Sequence, residues 1–461
     1  MPLLGFLRII VADPDRVTQR RTIAIFIWGD LFEDFFDTIG VSLENFCSDL
    51  RGGWLGGLVH ALRTADVRTV IILFSGRVAD ALRVTDKDTD TQICVLPNSN
   101  LHKLCRKLMS KPYSFNVRKM FDSERGFRRV MGKFLWHVSP YLVMPLGAVA
   151  RELRRSRAEA LLCQEYESAR FDLCVLLGGL LRLPVFATFQ GGTQQLTFFE
   201  RFFRRFTIKS CAGLIIASRK EQQRVVLTYG LDRSKLRGII NPLDLHMWRP
   251  MNRAAARSRL SIAIDDQVVV WHGRLDIQSK GLDVLISAWK KICDRHPRRA
   301  LRLVLVGSGW GASWLKRTIH DNHLMNVHWS GDYVQDIELI RCYLSAADIY
   351  VLPSRIEGFA VAPMEAMAIG LPVVMSDVSG AAELLPAGAD SGGFIVPIAD
   401  PESLADAVCR LLDAPELRRE MGKSARRRVE ECASLESVGR QLKEFIFGTR
   451  KSRSSLESAS Q

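Results

Sequence analysis

Asp348-Ile-Tyr-Val-Leu-Pro353, then Ser354-Arg-Ile-Glu357-Gly-Phe359, then Ala360-Val-Ala-Pro-Met-Glu365-Ala-Met-Ala-Ile369, then Gly370-Leu-Pro-Val373-Val-Met-Ser376, is the stretch that decides the fold. The first run is apolar and rich in β-formers and stops at Pro353, which predicts a buried strand. Pro363 suits the first turn of a helix, where its missing N–H costs nothing, and Gly370 suits the C-terminal cap. Pro372 prevents continuation, and residues 373–375 make the next strand. The unit is β-α-β, so the sheet is parallel.

Two carboxylates, Glu357 and Glu365, bracket the loop-to-helix junction. Glu357 lies at the carboxyl end of the strand, where open α/β sheets bind ligands. Glu365 lies about one turn into the helix, and helical side chains tilt toward the N-terminus, so its carboxylate reaches back to the same crevice. Gly358 permits close backbone approach, and the amides near Ala360 to Ala362 suit an anion. One reading is a nucleotide-sugar site, with amides on the diphosphate or sugar and Glu365 on the ribose. The other is a capping acid followed by a solvated helix acid.

Composition sets the frame. The 461 residues are enough for two or three domains, and 47% hydrophobic with 25% charged residues is an ordinary globular balance. The net charge of +14 is uneven. Residues 1–250 hold 37 Lys and Arg against 24 Asp and Glu, whereas residues 251–461 hold 27 against 26. That asymmetry speaks of partners, not of fold. The 10 cysteines stand singly with no C-x-x-C pair, which predicts buried free thiols rather than disulfides or a zinc site. The first residues lack the basic start of a signal peptide, and no window is apolar enough to span a membrane. A cytoplasmic chain is expected.

In chain order, strands are expected over 22–27, 69–74, 91–96, 160–163, 184–189 and 213–217, with helices between them. The acidic and aromatic run after Asp30 reads as a loop insertion. Asp86-Lys-Asp-Thr-Asp90 contains a D-x-D pattern but reads as a solvated turn, and no metal ligands are assigned. From Leu101 to Arg157 Lys and Arg alternate with aromatic residues. This favours an anionic lipid surface or acceptor, because no nucleic-acid-binding signature accompanies the charge. Residues 198–209 form a further basic helix. In the second half, Arg274 offers a planar fork and Lys280 a mobile point charge, the pair that a diphosphate needs.

Glu357-Gly-Phe through Pro363-Met-Glu365, with Arg274 and Lys280 six positions apart, resembles the E-x7-E signature and diphosphate clamp of glycosyltransferase family 4, a retaining family of the GT-B fold. The likeness runs from about Val268 to Arg428. It implies an α/β, GT-B architecture: two Rossmann-like domains facing a central cleft. Residues 1–245 would form the acceptor domain and 246–434 the nucleotide-sugar domain. Residues 435–450 would cross back to the first domain, leaving 451–461 as a disordered tail. It implies transfer of a hexose from a nucleotide sugar such as a UDP-sugar to an acceptor hydroxyl, with no cofactor and no metal. By the resemblance, Arg274, Lys280 and Glu357 carry the chemistry. Glu365, Gly358, Phe359, Ala360 and Val361 bind the donor, Gly307 and Tyr333 lie by the base, and Gly52 and Gly53 face the diphosphate. Gln164 and Gln190 depart from the histidines common at those places, which bears on the acceptor. The expected partners are the donor, a lipid-linked or anionic acceptor, and the anionic inner face of a membrane, with no nucleic acid. A nucleotide-sugar epimerase and an inactive binding subunit are the alternatives.

Overall fold

In the computed structural model the apolar run at 349–352 is a fully buried strand between two parallel neighbours. The structure describes residues 20–27, 29–39, 41–48, 50, 53–108, 126–191, 196–331, 334 and 336–448. The first sheet contains β1 (Arg21–Phe26), β2 (Val67–Ser75), β3 (Leu82–Thr85), β4 (Gln92–Pro97), β5 (Ala160–Cys163), β6 (Val185–Thr188), β7 (Gly213–Ile215) and β8 (Leu236–Arg237). Its order is β3-β4-β2-β1-β5-β6-β7-β8, parallel except for β3 against β4. The second contains β9 (Gln267–His272), β10 (Leu301–Val306), β11 (Val327–Trp329), β12 (Ile349–Leu352), β13 (Val373–Ser376) and β14 (Gly393–Val396). Its order is β11-β10-β9-β12-β13-β14, with every pairing parallel.

The central unit is built as its sequence requires. Helix Ala362–Ile369 has Pro363 in its first turn and Gly370 in the left-handed conformation at its end (φ 89°). Asp348, 4% exposed, anchors the start of β12: its carboxylate accepts from Val268 N at 2.8 Å and pairs with the buried Arg257 at 2.9 Å. A buried charge pair of this kind fixes register more than it adds net stability.

The chain crosses between the domains twice, side by side. Leu243 N donates to Ala433 O at 2.7 Å, and Leu243 bridges Ser434. Helix Leu435–Phe447 then lies on helix Gly53–Thr64 of the first domain. Gly439 sits so close to it that a Cβ would lie 1.9 Å from Ala61 O. Lys443 Nζ closes the contact on Ala65 O at 2.7 Å.

Several local expectations need correction. The run after Asp30 is helical in short pieces (Phe32–Phe35, Phe36–Ile39, Leu43–Ser48), because Phe32, Phe36 and Phe46 stack into one aromatic cluster. The turn at 86–90 is not wholly solvated: Asp86 is buried and accepts from the amide and hydroxyl of Thr89. It closes a turn. The ten cysteines are free, eight of them buried. The tail 451–461 lies outside the described residues.

Candidate active site

The carboxyl ends of β9, β10 and β12 are neighbours in the second sheet, so the loops after them form one surface. The β9 loop is held against β12 by close packing. Asp276 caps the short helix Ile277–Lys280, accepting from Ser279 N at 3.2 Å. Gly281 ends that helix at φ 65°, where a Cβ would lie 2.1 Å from Pro353 O. Only glycine fits there. This contact sets Lys280 beside the loop after β12, and its Nζ donates to Glu357 Oε1 at 2.7 Å. Ser354 Oγ donates to the same oxygen at 2.7 Å.

Arg274 is placed differently. Its guanidinium lies over the Trp310 ring, 4.9 Å from the centroid, and its Nε is buried without a hydrogen-bond partner among the described residues. Among the described residues no acid pairs with it. A guanidinium stacked on an aromatic face yet short of acceptors is suited to an incoming anion.

Glu365 is joined to His272, the last residue of β9: His272 Nε2 and Glu365 Oε2 are 2.7 Å apart. Sharing that proton fixes one carboxylate oxygen, and Oε1 has no hydrogen-bond partner among the described residues. Tyr350 lies beneath, its ring edge-on to His272. Burial pushes the Tyr350 hydroxyl well above its usual range, and the charges of Glu365 and Glu357 push it further. It stays neutral.

The backbone between the two glutamates supplies donors. The amides of Phe359, Ala360, Val361 and Ala362 make no hydrogen bond among the described residues; Val361 and Ala362 open the helix, whose first amides have no partner within it. Phe359 is buried, and its carbonyl accepts from Asn241 Nδ2 at 3.3 Å. At Gly358 a Cβ would lie 2.5 Å from the carbonyl oxygens of both Gln190 and Gly191. The loop after β12 therefore touches the first domain directly. Gly307 turns at φ 132° against Gly273, where a Cβ would come within 2.0 Å of Gly273 O. Its structural task is that loop-on-loop packing. Gly53 begins helix Gly53–Thr64 rather than lying in an open loop, while Gly52 and Tyr333 lie outside the described residues.

The opposing wall is organised by a carboxylate two residues past the end of β5. Glu165, 1% exposed, accepts from the amides of Gln190 at 3.1 Å and Gly191 at 3.0 Å with one oxygen, and from Glu167 N at 3.1 Å with the other. Burial raises its pKa to about 8, with the Glu167 charge adding to the rise against the three amide bonds. Gln190 exchanges two hydrogen bonds with Asn241, at 3.0 and 3.2 Å. Glu165 thus holds the loop that meets Gly358.

His272, Ser354, Trp310, Glu165 and Asn241 received no role from the sequence. His272 carried a signal, a polar residue ending an otherwise apolar strand. The others depend on contacts between distant loops.

Residues 266–414 match the family model described as glycosyl transferases group 1. Over 218 residues the chain is 33% identical to D-inositol 3-phosphate glycosyltransferase 2 of Catenulispora acidiphila, covering 46% of this chain and 50% of that protein. Over 221 residues it is 34% identical to D-inositol 3-phosphate glycosyltransferase of Corynebacterium glutamicum, covering 46% and 51%. The chain thus spans about half the length of the curated relatives it matches. Among solved structures it resembles sucrose-phosphate synthase of Thermosynechococcus elongatus (TM-score 0.67, 19% identity, 94% of this chain and 100% of that one). It also resembles Anabaena HepE in complex with UDP (TM-score 0.65, 15% identity, 92% and 99%). No helix among the described residues is long and apolar enough to cross a membrane. Residues 266–414 thus match the glycosyl transferases group 1 family, and the chain as a whole has the two-domain GT-B fold.

Proposed function

We propose that the chain transfers a sugar from a nucleotide diphosphate sugar to an acceptor hydroxyl, with retention of anomeric configuration and without a metal ion. One observation carries this reading. Arg274, free of any acidic partner among the described residues, and Lys280 stand on the same loop surface as the unengaged amides of residues 359–362. When the glycosidic bond breaks, negative charge grows on the departing diphosphate. Cations and amides fixed in advance around it stabilise that state more than the bound donor. The same two cations supply the charge that a metal would otherwise bring.

Glu365 Oε1 accepts from the ribose hydroxyls in this reading, with Oε2 fixed by His272. Glu357, held by Lys280 and Ser354, orients the sugar or polarises its reacting face. UDP is the proposed carrier, supported by the UDP complex of HepE, which shares the fold. The proposed acceptor is anionic or lipid-linked. The relatives' names specify a phosphorylated acceptor, and the basic excess lies on the first domain. Its place would be the wall formed by Gln164, Glu165 and Gln190.

A thermal-shift panel of nucleotide sugars tests the reading, because a donor that binds the folded chain raises its melting temperature by mass action. A rise with UDP-sugars and none with unrelated nucleotides is expected. Release of free sugar nucleotide isomer without added acceptor would favour an epimerase, and an inverted first product by NMR would refute retention.

A further inference from the structure

Helix Phe198–Ser210 carries three parallel stripes at four-residue spacing. Glu200, Arg204 and Ile208 are buried against the first domain. Arg204 is wholly enclosed, donating to Ser168 O at 2.9 Å and pairing with Asp172. Two positions back from each lies the second stripe, about 160° around the helix. It consists of Phe198, Phe202 and Phe206, at 67%, 55% and 61% exposure. The third stripe, Arg201, Arg205 and Lys209, is exposed beside the aromatic one. Thr197 and Glu200 form a capping box that fixes where the helix starts and so which way each stripe faces.

The apolar face does not end with this helix. Phe198 N donates to His137 Nδ1 at 3.2 Å, and the Tyr141 and Phe203 rings are 5.6 Å apart, so helix Phe127–Leu142 lies alongside. That helix exposes Val130 and Phe134 and in turn packs through Leu135 on Cys105 of helix Asn100–Leu108. The latter exposes Leu101, Leu104 and Leu108 on one face. Three adjoining helices thus present large apolar side chains outward with basic residues between them. Large apolar side chains exposed on adjoining helices mark an interaction surface.

We propose that these three helices are the surface by which the protein docks on an anionic lipid bilayer, with the phenyl rings of Phe198, Phe202 and Phe206 entering the headgroup region. Charge selects this occupant. The stripe Arg201, Arg205 and Lys209 beside the rings complements anionic headgroups, whereas a second copy would bring like charges together. Position supports it as well. Gly191, whose carbonyl meets Gly358, and Phe198 are seven residues apart, which an extended chain covers in at most about 25 Å. The bilayer surface therefore lies within reach of the cleft, where a membrane-borne acceptor would enter. The proposal deepens the reading of an anionic or lipid-linked acceptor, but its test is independent of transfer.

Co-sedimentation of the full chain with vesicles tests it, using neutral phosphatidylcholine and mixtures with phosphatidylglycerol. Wild type should partition at least tenfold better onto the anionic vesicles. F202S/F206S should lower that partition at least tenfold, and R201E/R205E should lower it by more than about fivefold for each charge removed. High salt should weaken the charge contribution and leave the aromatic one. All four positions are exposed, so unchanged melting temperature and unchanged donor-induced stabilisation confirm that each variant is folded and keeps its donor site. No partition of wild type onto anionic vesicles, equal partition onto neutral ones, or no effect of either variant would overturn the proposal. So would a dimer of wild type in analytical ultracentrifugation that F202S/F206S dissolves, since the face would then belong to a second copy. Loss of donor binding with intact vesicle binding would instead count against the transferase reading alone.

Discussion

Lys280 and Glu357 form an ion pair of 2.7 Å between two segments of the second domain, with side chains 23% and 10% exposed. Their pairing makes the two site cations unequal. Removing Lys280 leaves Glu357 in a largely enclosed place with only Ser354 as donor among the described residues. Removing Arg274 strands no acid among the described residues. Lys280→Ala should therefore lower stability by about 1–3 kcal/mol, and Lys280→Ala with Glu357→Ala by less than the sum of the two single changes. Arg274→Ala should leave stability nearly unchanged. Urea denaturation of the four variants checks this, and additive losses would show that the pair is not coupled.

Glu365 has one oxygen fixed by His272, while the other makes no hydrogen bond among the described residues. Glu365→Ala should weaken UDP-sugar binding about tenfold or more and erase the preference for ribose over 2′-deoxyribose in the nucleotide. His272→Ala should do the same more weakly, since it frees the carboxylate without removing it. Binding by calorimetry with the two nucleotides decides, and retained discrimination in Glu365→Ala would move the ribose elsewhere.

Two glycines give separable outcomes. Gly281→Ala places a Cβ 2.1 Å from Pro353 O at a positive φ, so the second domain itself should lose about 2 kcal/mol or more and melt lower. Gly358→Ala meets Gln190 O and Gly191 O at 2.5 Å, which lie in the other domain. That strain is relieved by parting the domains, so kcat/KM should fall much more than the melting temperature. Equal melting losses in both variants would contradict the distinction.

How much of this was legible in the sequence follows the range of the interactions. The unit around Glu357 and Glu365 was readable because Pro353, Pro363, Gly370 and Pro372 act on their own neighbourhood. That Arg274 and Lys280 both stand in the segment after β9 was readable because they lie within eight residues of its end. The link from His272 to Glu365 was not, because β9 and helix Ala362–Ile369 meet only once the parallel sheet is built. The same holds for Gly358 on Gln190. Phe32, Phe36 and Phe46 were mistaken for loop residues because their helical turns are short and held by one another. On helix Phe198–Ser210 the charge was visible, but the outward face of the rings was fixed only by the burial of Arg204.

The buried Glu165 gives a pH dependence with a definite sign. Its pKa rises from an ordinary carboxylate value in the unfolded chain to about 8 in the folded one, because burial disfavours the charge. Between these values the folded chain holds a proton that the unfolded chain has lost, so stability falls as pH rises from about 4.5 to 8 and levels off above. Asp34, pushed up to about 6 by burial, contributes in the same direction. The difference between wild type and Glu165→Gln isolates Glu165, and the variant should lose less stability across that window. Parallel curves would show that Glu165 titrates at an ordinary pH in the folded chain.

The central claim is that Arg274 and Lys280 receive the donor diphosphate, and titration calorimetry of UDP into wild type, Arg274→Ala and Lys280→Ala in the presence of EDTA tests it most directly. A charge-assisted hydrogen bond is worth about 1.5–3 kcal/mol, so each variant should bind about ten- to a hundredfold more weakly, while wild type should bind equally well with and without the chelator. Wild-type affinity in both variants, or loss of wild-type binding in EDTA restored by magnesium or manganese, would contradict it.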